Sequence, residues 1–96
     1  MEDMRKHLLD LASEGMFQIV FKTDGAVLPT HLLKHEQCTL NFSHRFDPDD
    51  LAIGSDAIEQ TLSFDGNWFK CRVPLANIVK VGDNLSKKSP ALSLVH

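Results

Sequence analysis

Apolar and polar residues alternate along most of the chain. In 57–64, Ile58, Gln60, Leu62 and Phe64 share one face, with Glu59, Thr61 and Ser63 on the other; this period of two marks a half-buried strand. Asp65-Gly66 follows, a pair suited to a tight hairpin because glycine accepts positive φ without a Cβ clash. The return arm repeats the pattern: Phe69, Cys71, Val73 and Leu75 point inward, and Trp68, Lys70 and Arg72 outward. Pro74 cannot donate to a ladder, so this arm leaves the sheet or runs along its edge near that residue.

Upstream, Met4, Leu8, Leu11 and Ala12 trace an apolar stripe that predicts a helix over 3–14, with Asp3 at its start and Gly15 at its end. A helix this short must bury its stripe against a sheet or a second copy of itself. The second alternative predicts a homodimer through Met4, Leu8 and Leu11. Residues 16–23 read as a strand with Phe17, Ile19 and Phe21 inward, and Asp24-Gly25 as a turn. Residues 26–29 are briefly extended, and 30–36 fit a single helical turn or a loop. Alternation resumes at 38–45, with Cys38, Leu40 and Phe42 inward and Thr39, Asn41, Ser43 and Arg45 outward. Residues 46–50 break it, 51–53 form a short strand, and 54–56 turn into the hairpin. Short strands separated by closely spaced turn signals predict a mainly β fold, a small curved antiparallel sheet or barrel. From Gly82 onward the alternation stops, so 1–82 read as one domain and 83–96 as a flexible tail.

Composition narrows the function classes. The 96 residues carry a formal charge of −3, with scattered Lys and Arg, which argues against a nucleic-acid footprint. No apolar run approaches a membrane span, and the first thirty residues lack the layout of a signal peptide; the expected location is the cytoplasm. Cys38 and Cys71 form no CxxC pair and read as reduced core thiols. His31 and His35 are four apart, but the segment after Pro29 is too short for a confident helix, and solvent-facing histidines are the ordinary reading. An EF-hand loop from Asp47 would need Gly and Glu where Ala52 and Ile58 stand, which leaves a solvated turn. No catalytic motif, metal set or cofactor loop is present in the sequence, and the expectation is a protein that is not an enzyme.

The stretch Leu62-Ser-Phe-Asp-Gly66, the hairpin return and Val73-Pro-Leu-Ala-Asn-Ile78 resemble the core of the stringent starvation protein B family, adaptors that deliver substrates to the ClpXP protease. Leu9-Leu-Asp-Leu, Phe17-Gln-Ile-Val-Phe, Val27-Leu-Pro29, Leu40-Asn41 with Arg45, and Leu51-Ala-Ile53 fall where that family has related residues. The likeness covers roughly Leu8 to Val81. It extends to Pro90-Ala-Leu-Ser-Leu-Val-His96, similar to the family's segment that docks on the zinc-binding amino-terminal domain of ClpX. Ser93 and His96 stand where Arg and Lys are usual.

The resemblance implies an Sm-like β-barrel over 16–82, often dimeric, that binds the ssrA tag as an extended peptide in a surface groove. By the same analogy the groove comprises Phe42, Ser43, His44, Arg45, Leu62, Ser63 and Phe64. Pro90, Ala91, Leu92, Leu94 and Val95 form the ClpX-docking segment. The competing reading is a small Sm-like module that binds RNA or scaffolds a complex. It rests on Trp68 between the cations Lys70 and Arg72, a place where a base can stack.

Overall fold

The helix expected near the start forms as α1, Glu2–Glu14. Glu2 and Asp3 sit in its first turn, where the positive end of the helix dipole favours carboxylates. Its Leu8 is 0 % exposed and Ala12 is buried; residues four apart lie one above the other on a helix face. Met4 and Leu11 pack beside them, half-buried. Gly15, at φ 136°, ends the helix in a conformation that a residue with a Cβ rarely adopts. The computed structural model describes residues 2–82.

After α1 come β1 (Phe17–Lys22), the single helical turn α2 (Thr30–Leu33), β2 (Gln37–Phe42) and β3 (Ala52–Ile53). The hairpin strands β4 (Ala57–Phe64) and β5 (Asn67–Pro74), a 3-10 turn at Leu75–Asn77 and β6 (Ile78–Gly82) complete the order. The strands make two antiparallel three-stranded sheets, ordered β2-β1-β6 and β3-β4-β5. The mainly β expectation holds; among the described residues the ladders stop at these two sheets and make no closed barrel. One isolated backbone bridge, Val27 with Arg72, ties the segment before α2 to the outer edge of β5.

Between the sheets lies one core. Phe17, Ile19 and Phe21 of β1 meet Cys38, Leu40 and Phe42 of β2, Ile58 and Leu62 of β4, and Cys71 and Val73 of β5. The Phe17 and Phe42 rings stack with centroids 6.0 Å apart. Leu8 enters this core, so the α1 stripe is covered by the chain's own sheets and a second copy is not needed to bury it. The argument for dimerisation from Met4, Leu8 and Leu11 is corrected on that point. Cys71 is fully buried, and its thiol pKa is pushed up to about 12 by loss of hydration; Cys38 shifts upward for the same reason. Both are inert core thiols.

The hairpin turn matches its sequence: Asp65 has φ 54° and Gly66 φ 83°, so both central residues lie in the left-handed region that fits the twist of the arms. Pro74 ends β5, as its missing N–H requires.

Candidate functional site

The two sheets meet at a seam between β2 and β4, and main-chain hydrogen bonding defines what is exposed there. The Thr23 N–H donates to the Glu36 carbonyl. Counting by twos along the unbroken β1–β2 register, Cys38, Leu40 and Phe42 direct their main-chain groups to β1. Thr39, Asn41 and Ser43 therefore direct theirs away from β1, and those of Ser43 meet β4 through the Gln60 side chain. On the other side, Arg72 exchanges both main-chain bonds with Val27, away from β4. Its neighbours Cys71 and Phe69 thus bond Gln60 and Leu62, and Glu59, Thr61 and Ser63 face the seam.

Two side chains bridge part of this seam in place of a strand. Gln60, fully buried in β4, accepts from the Ser43 N–H at 3.2 Å and donates to the Ser43 carbonyl at 2.7 Å. Asp50, just before β3, accepts from the Thr61 N–H at 2.8 Å and from the Thr61 hydroxyl at 2.6 Å. The Thr61 hydroxyl, followed by its N–H, holds the Asp50 carboxyl below its ordinary pKa. β3 pairs with only Glu59 and Ile58. Among the described residues no strand pairs with the remaining edge, which consists of Thr39 and Asn41 on β2 and Ser63 on β4.

The groove residues expected from the resemblance divide on burial. Phe42 and Ser43 are 0 % exposed and Leu62 is 8 %; these three are corrected from surface to core. Phe42 and Leu62 follow the alternation inward, whereas Ser43 was expected outward and is drawn in by Gln60. Phe64 is half-buried under the edge of the His31 ring, with centroids 6.0 Å apart. His44, Arg45 and Ser63 are exposed at the seam's margin, with His44 Nδ1 3.0 Å from an Asp49 carboxylate oxygen. Pro90, Ala91, Leu92, Leu94 and Val95 lie outside the described residues.

Sequence reading missed Gln60, Asp50, Thr39 and Asn41 as seam residues. Gln60 did carry a signal, since it is the one polar residue on the inward face that also holds Ile58, Leu62 and Phe64.

The Trp68 face looks away from the core. Trp68 is 60 % exposed and stands opposite Ser63, with Lys70 opposite Thr61 and Arg72 opposite Glu59. Arg72 Nε lies 3.7 Å from a Glu59 oxygen, and the Lys70 charge acts on Asp50. Arg72 thus has a carboxylate counterpart. Elsewhere, a depression of about 660 Å³ lies between the Asp24-Gly25 turn and the end of α2, and one of about 560 Å³ between α1 and the 3-10 turn. Among the described residues no three His, Cys, Asp or Glu side chains come together in a way that could hold a metal.

The fold and the seam together define a mainly β domain with one N-terminal helix, in which no strand among the described residues pairs with the edge between the two sheets. No protein-family model matches the chain, and no curated protein matches it significantly.

Proposed function

We infer that the protein is a peptide-binding adaptor that holds ssrA-tagged polypeptides at the β2–β4 seam and presents them to ClpXP. The observation that carries this reading is the edge of Thr39, Asn41 and Ser63, with which no strand among the described residues pairs. An extended peptide gains affinity from main-chain hydrogen bonds to such an edge, and specificity from side chains that alternate toward the core and toward solvent. His44, Arg45 and Ser63 flank the peptide path, while Phe42, Leu62 and Phe64 shape it from beneath. The chain course supports an Sm-like open barrel: β1 and β2 pair, β3, β4 and β5 follow as a second sheet, and β6 returns to pair with β1. In this reading Pro90, Ala91, Leu92, Leu94 and Val95 dock on the zinc-binding domain of ClpX. The adaptor performs no catalysis of its own and works in the cytoplasm.

A small RNA-binding or scaffolding module is the second reading, favoured by the exposure of Trp68. The pairing of Arg72 with Glu59 weighs against it, because a phosphate would have to displace that carboxylate. Titrating a fluorescent ssrA-tag peptide and a short single-stranded RNA separately against the protein decides between them. Saturable binding of the peptide alone is expected, and binding of the RNA alone overturns the adaptor reading. A chain ending at Ser89 should bind the tag peptide at least as well as the full chain and lose stimulation of ClpXP at low substrate concentration.

A further inference from the structure

The outer edge of β5 is open over a short, bounded stretch. At its far end the Val27 N–H donates to the Arg72 carbonyl at 2.8 Å, and the Arg72 N–H to the Val27 carbonyl at 3.0 Å. Stepping back from Arg72 by twos, Lys70 and Trp68 also turn their main-chain groups away from β4. If the Val27 bridge continued as a strand, Pro29 would face Lys70. Proline has no N–H to give, and the Pro29 carbonyl accepts instead from the Leu32 and Leu33 N–H groups of α2. Among the described residues nothing pairs with the edge of Trp68 and Lys70. The Asp65-Gly66 turn closes the stretch at one end and Val27 at the other, which leaves residues 67–71 with Phe69 at the centre.

Such a stretch is complementary to itself. Two copies related by a twofold axis through Phe69 run antiparallel, with Trp68 of each opposite Lys70 of the other. Both residues turn outward, so each such pair exchanges its main-chain bonds. The neighbouring registers fail. Centring on Lys70 sets two ammonium groups directly opposite and drives Trp68 into the place that Val27 holds beside Arg72. Centring on Trp68 sets Lys70 against Gly66, where the other copy is already turning back into its own β4. The side chains agree with the central register. Trp68 is 60 % exposed and Lys70 is exposed on the same face, so each indole lies across from an ammonium of the other copy. The Cα atoms of such a pair are about 5.5 Å apart, close enough for cation–π attraction. On the opposite face the half-buried Phe69 rings meet at the axis, where paired side chains stand closest.

We propose that two copies of this chain dimerise through the outer edges of β5, joining their β3-β4-β5 sheets into one continuous sheet across the twofold axis. The pairing removes an exposed strand edge open to unrelated chains. The interface is smaller than the roughly 1,200 Å² at which stable complexes begin, so the dimer is weak and concentration-dependent. It lies on the far side of β4 from the seam and does not depend on the peptide-binding reading.

Sedimentation of the full chain up to about 1 mM reads the association. The parent should pass from monomer toward dimer, and Trp68→Lys should raise the dissociation constant ~tenfold or more by setting like charges opposite each other. Adding Lys70→Trp to Trp68→Lys should restore association, because the twofold axis again pairs an indole with an ammonium. Engineered cysteines read the register. Phe69→Cys brings two thiols to the axis with Cα atoms about 4.5 Å apart, within disulfide reach, whereas Trp68→Cys leaves them about 7–8 Å apart, beyond it. Cys38 and Cys71 are buried and stay out of the reaction. On oxidation with diamide the Phe69→Cys chain should link at least ~tenfold faster than the Trp68→Cys chain. A parent that stays monomeric to about 1 mM overturns the proposal, as does a dimer that Trp68→Lys leaves unchanged. Equal linking by the two cysteine variants overturns it as well. If Phe69→Cys fails to fold by circular dichroism, the exchanged pair decides, and failure of that variant to regain association overturns the contact.

Discussion

Gln60 of β4 holds Ser43 of β2 through both ends of its side-chain amide, at 3.2 and 2.7 Å, so that one side chain takes the place of a strand residue where the sheets meet. Both residues are fully buried, and no water competes for these bonds. Gln60→Leu keeps the approximate volume but strands the Ser43 N–H and carbonyl. At about 1–3 kcal/mol for each buried group left unsatisfied, the variant should lose roughly 3 kcal/mol in urea denaturation. A loss below about 1 kcal/mol would mean that the seam relaxes to let water in.

Asp50 plays the corresponding part for Thr61, and its contribution depends on pH. The folded-state pKa is lowered, chiefly by the Thr61 hydroxyl and then by the Thr61 N–H. The stabilisation is therefore fully present above the unfolded carboxyl's pKa of about 3.9, and fades as pH falls through the lower folded value. Thr61→Val removes the hydroxyl and leaves the N–H. An NMR titration of Asp50 should then show its pKa rising toward the ordinary value, with a smaller drop in stability on acidification than the parent shows. An unmoved Asp50 pKa would assign the shift to the main chain alone.

Strands were legible wherever one face is dry and the other wet. Phe17 to Phe21, Cys38 to Phe42, and both arms around Asp65-Gly66 have the inward residues that alternation assigns. β6 was not legible as a strand: Ile78-Val-Lys-Val-Gly82 is short, and the β1–β6 register shifts between Val20 and Phe21, where Val79 is left exposed. A break of that kind erases the period of two. The seam was hidden for a different reason. Which strand edge stays unpaired depends on hydrogen-bond parity between residues far apart in sequence, and alternation reports side-chain faces only. Ser43 shows the limit: its outward position in the pattern is overruled by a glutamine seventeen residues away.

Leu8 decides how α1 is used. With 0 % exposure inside the chain's own core, Leu8→Glu places a carboxylate among Phe17, Ile19 and their neighbours. The variant should lose cooperative unfolding and near-ultraviolet ellipticity, because an unpaired buried charge costs several kcal/mol against a total stability of about 5–15 kcal/mol. A well-folded Leu8→Glu protein that sediments as a monomer, from a parent that sediments as a dimer, would return Leu8 to an interface between copies.

Gly66 isolates a backbone effect from a packing one. Its φ is 83°, and a Cβ built there meets nothing within 4 Å, so any cost of substitution comes from the left-handed conformation itself. Gly66→Val should lower stability by about 1–2 kcal/mol, and Gly66→Asn by visibly less, since asparagine tolerates this region. Equal melting temperatures for the two variants would show that the turn adopts another geometry in solution.

Proline substitutions at adjacent residues test the hydrogen-bond parity on which the seam depends. The Leu62 N–H lies in the ladder to Phe69, whereas the Ser63 N–H points to the side where no described strand pairs. Proline removes one donor and is tolerated where the N–H faces an unpaired edge. Ser63→Pro should therefore fold with a small loss of stability, while Leu62→Pro should lose ~3 kcal/mol or more through the broken ladder. The same change takes away a main-chain donor that an extended peptide uses, so Ser63→Pro should weaken tag-peptide binding about tenfold, equivalent to roughly 1.4 kcal/mol. Circular dichroism melts and a fluorescence-anisotropy titration read the two effects apart. If Ser63→Pro unfolds the protein as readily as Leu62→Pro does, the assigned parity is wrong and the seam is not where the peptide lies. If it folds and binds the peptide undiminished, the Ser63 edge is free but takes no part in recognition.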